Sequence, residues 1–172
     1  PRFFNAVSKF FDTREYPFFN DETRESAMNE MLEDVGFEGQ QRVALGMCHR
    51  GGKSFHLLIL KNRQDALNAI KGQHSSDWKL LDVNILHTLI LENILGITKD
   101  DLANERKVHF FRQAREVIAK TLEGHYEVCF IVNPVQIQTI QKIVKNRERF
   151  PQKTTDFYPK LLSGMVMCKL NV

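Results

Sequence analysis

The stretch Arg42-Val43-Ala44-Leu45-Gly46-Met47-Cys48-His49-Arg50-Gly51-Gly52-Lys53-Ser54-Phe55-His56-Leu57-Leu58-Ile59-Leu60-Lys61 decides the fold. Its two apolar runs, residues 42–49 and 54–61, suit a pleated, half-buried surface. The link between them holds paired glycines, which take the positive φ angles that tight turns need. The stretch therefore predicts an antiparallel β-hairpin. Arg50-Gly51-Gly52-Lys53 also has the look of a phosphate cradle, but such a loop joins a strand to a helix, and two strands flank this one.

Helical patterns surround the hairpin. Residues 3–11 predict an entry helix with Phe4, Val7, Phe10 and Phe11 on one side, followed by an extended Tyr16-Pro17-Phe18-Phe19. Asn20 or Asp21 caps a helix carrying Met28, Met31, Leu32 and Val35, with Gly36 as its stop. Downstream, Asn62 caps a short helix, and Asp82 caps a central helix over residues 83–95 that is apolar on nearly every side and ends at Gly96. Thr98 to Asp101 reads as a capped turn, and Phe111, Ala114, Val117, Ile118 and Leu122 mark an amphipathic helix closed by Gly124. Residues 126–132 predict an interior strand covered on both faces. Asn133-Pro134 starts a helix with Ile137, Ile140, Ile143 and Val144 as its buried stripe, and residues 164–170 read as a closing strand. The expectation is an α+β fold with a mixed or mainly antiparallel sheet and packed helices. It forms one compact unit, with a helix-plus-hairpin lobe over residues 1–79 and an α/β portion over residues 80–172.

Composition narrows the functional classes. The 172 residues are 42% hydrophobic and 26% charged, enough for one substantial core. The apolar stretch at 83–95 is interrupted by Asn84, His87, Thr88, Glu92 and Asn93 and is too short for a membrane span. Cys48, Cys129 and Cys168 stand far apart without a CxxC pair, which predicts reduced thiols in a cytoplasmic protein and argues against zinc or disulfide frameworks. The net charge is +3, but from Gln136 onward seven bases face two acids. The basic face of Lys142, Lys145, Arg147 and Arg149 lacks interleaved aromatics, so a solvated or docking face is favoured over nucleic-acid binding.

Chemistry-bearing residues are sparse. Lys153, Thr154, Thr155, Tyr158 and Lys160 place cations and hydroxyl donors in one short irregular segment, as an anionic ligand requires; the same segment also suits a packed crossover with solvated polar groups. His87 has no acid partner at a telling spacing and reads as a hydrogen-bonded core histidine. Asp100 and Asp101, with Asp82 or Glu105, offer too few oxygens for a hard cation and read as caps, so no metal is expected. Cys129, on an apolar strand, reads as inert.

The segment Phe150-Pro151-Gln152-Lys153-Thr154-Thr155-Asp156-Phe157-Tyr158-Pro159-Lys160-Leu161-Leu162-Ser163-Gly164 resembles the end of the bacterial and archaeal family known as DUF1015. Leu81-Asp82-Val83, Leu86-His87, Leu95-Gly96-Ile97, Tyr126-Glu127-Val128 and Asn133-Pro134 follow the same order, so the resemblance covers residues 80–170, and the first 79 match only through the Gly51-Gly52-Lys53 hairpin. It implies the C-terminal portion of a longer protein whose N-terminal half carries a Gly-His-His-Arg motif, like that of ParB-related proteins that bind or hydrolyse nucleotides. His49-Arg50-Gly51-Gly52 does not substitute for that motif. The resulting expectation is an accessory or substrate-side part of a nucleotide-dependent enzyme, with nucleotide bound only together with the N-terminal half. The alternative is a non-catalytic interaction or homodimerisation module, suggested by Phe3, Phe4, Phe10, Phe11, Phe18 and Phe19.

Overall fold

Residues 2–104 and 107–151 are described by a computed structural model of the chain. Among the described residues its sheet holds four strands, β1 (Phe11–Pro17), β2 (Ala44–His49), β3 (Ser54–Leu60) and β4 (Val128–Ile131). They lie in the order β1-β3-β2-β4, and every neighbouring pair is antiparallel. The expected hairpin is β2 and β3, turning at Gly51 with φ of 67°. The helices are α1 (Arg2–Val7), α2 (Asp21–Glu38), α3 (Arg63–Ala69), α4 (Ser76–Lys79), α5 (Asp82–Ile85), α6 (Lys99–Ala103), α7 (Ala114–Leu122) and α8 (Ile137–Lys145). A π-helix, Leu86–Glu92, continues directly from α5.

Side chains alternate across β3, so this strand feeds two cores. Phe55, Leu57 and Ile59 pack with Met28, Met31 and Val35 of α2 and Ile118 of α7. On the opposite face, Leu58 and Leu60 pack with Val7 of α1 and with Ile85, Leu86, Leu89, Ile90 and Leu91. The molecule is thus a sheet with helices on both faces, and β4, from beyond residue 80, joins the three strands that precede it. Among the described residues, no helix is long and apolar enough to cross a membrane.

Several expectations are corrected. The entry helix stops at Val7, and residues 11–17 form a strand rather than its last turn. Among the described residues β1 pairs only with β3, and solvent faces most of it, so only Phe11 and Tyr16 are buried and the polar Asp12-Thr13-Arg14-Glu15 hid the strand. Helix α2 begins at Asn20, which accepts from Thr23 N at 2.8 Å while Thr23 Oγ1 accepts from Asn20 N at 3.0 Å. It runs through Gly36, and its added turn carries Glu38, which meets both Arg14 and Arg42. The phenylalanine-rich start fills the protein's own core, with Phe11 and Phe18 buried on opposite faces of the sheet and Phe3, Phe4 and Phe10 packed against the cluster that holds Phe11; Phe19 alone of that set is exposed.

Leu81, not Asp82, is the N-cap of α5, and the residues beyond it leave the α-helical path. In an α-helix Leu91 would point about 140° away from Leu86. An i→i+5 ladder stacks the two on one side, and both are buried. Among the described residues β4 pairs with β2 alone. Asn133-Pro134 does not cap a helix, because α8 begins at Ile137. In α8 only Ile143 is buried, while Ile137 and Val144 are 69% and 60% exposed. The expected closing strand, residues 164–170, lies outside the described residues.

The sheet meets α2 at Gly46. A Cβ there would lie 2.6 Å from Met31 Sδ, 3.1 Å from Ile131 Cβ and 3.2 Å from Val35 Cγ2. Gly46→Ala should therefore cost about 1–3 kcal/mol through overpacking, read as a lower urea midpoint at unchanged m-value.

Candidate functional site

Asp82 sits in the first turn of α5 and His87 on the π-helix that follows. Both line one cavity of about 520 Å³ that runs along β4. That size suits a small ligand. The floor is polar at one point. Asn133, the second residue after β4, donates through Nδ2 to Ala44 O at 3.0 Å and to Asp82 Oδ2 at 3.3 Å. One side chain therefore ties β2, the exit of β4 and the carboxyl of Asp82 together.

Gly39, the C-cap of α2, makes room for it. A Cβ at Gly39 would lie 2.2 Å from Asn133 Nδ2, and Gly39 has an ordinary helical backbone, so space and not conformation demands glycine there.

Burial pushes the Asp82 carboxyl up to about 6, against the hydrogen bonds from Asn133, which favour the anion. Burial also pulls His87 below its ordinary value. Near neutral pH the cavity thus holds a carboxyl able to exchange a proton and a neutral imidazole, the complement of an acid–base pair. His87 was expected to be a hydrogen-bonded core histidine; its ring is half-buried and makes no hydrogen bond among the described residues. It also lines a second cavity, of about 530 Å³, on its other side.

The rim is basic. Arg42 is engaged by Glu38 at 2.7 Å and Lys107 by Asp101 at 3.0 Å, whereas Arg63, in the first turn of α3, is exposed and forms no ion pair among the described residues. Arg112 also lines the cavity.

The other expected residues separate into distinct places. Lys153, Thr154, Thr155, Tyr158 and Lys160 lie outside the described residues. Asp101 caps α6 by accepting from Thr98 N at 3.0 Å, and no cluster of metal-ligating side chains occurs among the described residues. Lys142, Lys145, Arg147 and Arg149 are exposed, with Lys142 3.8 Å from Asp77. Cys129 is not isolated: it faces Cys48 across the β2–β4 ladder. Sequence reasoning missed Asn133 as a site residue because Asn before Pro reads as a cap. It missed Arg63 because nothing local links α3 to β4.

Asp82 predicts a specific pH dependence. Its folded-state value lies above the ordinary carboxylate value, so its stabilising proton uptake is complete below about 4 and lost as pH rises through about 6. Asp82→Asn should stabilise the protein by about 2–3 kcal/mol at pH 8, with the advantage fading between pH 6 and 4, as thermal melts across that range will read. Gly39→Ala should displace Asn133 and raise the Asp82 titration further, visible as an upward shift of its carboxyl resonance midpoint in NMR.

No family model matches the chain, and no curated protein or solved structure matches it.

Proposed function

We propose that this chain is the substrate-side domain of a composite, nucleotide-dependent enzyme, binding a small anionic ligand in the groove along β4 with Asp82 as the proton-exchanging group. The observation that carries the reading is a largely buried carboxyl tuned to about 6, held by Asn133 in a cavity whose rim is basic. A buried, destabilised carboxyl costs folding free energy and is retained where it has work to do. Arg63 supplies an uncommitted cation for the ligand's charge, and His87 a neutral hydrogen-bonding ring beside it.

The DUF1015 resemblance supports the composite part of the reading, with the nucleotide-binding residues and their Gly-His-His-Arg motif supplied by an N-terminal half. The segment bearing Lys153, Thr154, Thr155, Tyr158 and Lys160 is then a second source of anion contacts. Two free, buried thiols fit a reducing, cytoplasmic compartment.

A second reading, an interaction or dimerisation module, draws on the exposed Phe19 and Phe37 near the two ends of α2. A concentration-dependent mass in light scattering, abolished by Phe19→Ser with Phe37→Ser, favours it; a monomer at all concentrations removes it.

Calorimetry and thermal shift with nucleotides, phosphorylated metabolites and free carboxylates test the first reading, on this chain alone and joined to its N-terminal half. A ligand of one class should raise the midpoint, and Arg63→Ala should weaken its binding about fivefold, ~1 kcal/mol. Asp82→Asn should retain binding while abolishing turnover by the joined protein. If no anion binds either form, the substrate-side reading fails.

A further inference from the structure

We propose that Cys48 and Cys129 are a redox modification site, converted by a small hydroperoxide into a reversible disulfide that locks β4 to β2. The two residues are direct partners in the antiparallel ladder, and their Sγ atoms lie 3.0 Å apart. The ladder bond from Arg50 N to Glu127 O puts this pair, two residues along, in the hydrogen-bonded phase. Paired Cα atoms there stand about 5.5 Å apart, inside the range that disulfides span. Both side chains project from the same face of the sheet, toward α7. Bridging needs no shift of either strand.

Access comes from one side. Cys48 and Cys129 are 1% and 5% exposed, but Cys129 also lines the groove along β4, which admits a molecule the size of peroxide. β4 is four residues long and, among the described residues, pairs with β2 alone, so local opening there costs less than opening β3 between its two neighbours. The thiols share a hydrogen bond, which eases loss of the first proton, at Cys129, and makes the second, at Cys48, harder to remove. Cys129 lines the groove and Cys48 does not, so Cys129 is the attacking sulfur and Cys48 the resolving one.

The chemistry balances without another reactant. The Cys129 thiolate attacks one peroxide oxygen, the O–O bond breaks, and the departing hydroxide takes up the thiol proton as water. The sulfenic acid at Cys129 is then attacked by Cys48 sulfur; the S–O bond breaks, the S–S bond forms, and a second water leaves with the remaining proton. Two electrons pass from the sulfurs to the peroxide.

The test treats the whole chain with hydrogen peroxide and maps its peptides without reduction. The expected product is an intramolecular Cys48–Cys129 linkage, lighter by about 2 Da and reversed by dithiothreitol, with Cys168 still alkylatable. The linked form should melt about 5 °C or more above the reduced form, since the bridge closes a long loop. Cys48→Ser should leave a sulfenic acid at Cys129 that dimedone traps. Should peroxide oxidise Cys168 while Cys48 and Cys129 stay alkylatable, or should the bridge involve Cys168, the proposal is overturned. A bridge that leaves the melting point unchanged or lower would overturn the claim that it fits the native ladder. The peptide map of the unmutated protein decides the matter even if Cys48→Ser does not fold.

Discussion

Strand β3 is bonded on one side to β1 and on the other to β2, while α2 and α7 cover one of its faces and α1 and the π-helix the other. Phe55, Leu57 and Ile59 enter one core and Leu58 and Leu60 the other, so a shift of register by one residue would exchange the two sets and empty both. The hairpin turn at Gly51 fixes that register from β2, and seven paired residues fix it from β1. Charged contacts then reinforce what packing has set. Tyr16 of β1 donates to Asp34 of α2 at 2.6 Å, and Arg14 reaches the same carboxylate.

The two helical layers differ in what they bury. The layer of α2 and α7 is apolar apart from the thiol pair, Tyr16 and Thr121. The opposite layer holds His56, whose two ring nitrogens have no hydrogen-bond partner among the described residues, while His87 and Asp82 line the groove. Burial lowers both histidines and raises the carboxyl, so their effects on stability oppose each other on acidification. Neutral buried histidines resist protonation below about 6.5, whereas Asp82 gains from it below about 6. Glu15, paired with His56 across the β1–β3 ladder, eases the protonation of that ring, and His49, stacked at 6.2 Å, works against it.

The sequence reading succeeded where a local signal was sufficient. Paired glycines between two apolar runs gave the β2–β3 hairpin, Asn20 and Asn62 capped the helices expected of them, and the antiparallel, α+β character followed. It failed where neighbours decide. Asp12 to Glu15 form a strand only because β3 offers an edge, and residues 86–92 take a π path because Leu86 and Leu91 are needed on one side. The site was legible only in fragments. Asp82, His87 and Cys129 each drew attention singly and were read as a cap, a core histidine and an inert thiol. Asn133, Gly39, Arg63 and Cys48 complete their meaning from positions tens of residues away, which no periodicity reports.

Among the described residues β4 pairs with β2 alone, and the groove lined by Asp82, Asn133 and Arg63 runs along it. The strand is four residues long, and Val108 and Phe110 line the same groove. That brevity gives β4 the fewest paired residues among the described strands, and it ends two residues before Asn133, whose hydrogen bonds oppose the effect of burial on Asp82. Any bond that fixes β4 to β2 therefore also fixes the wall on which the carboxyl depends.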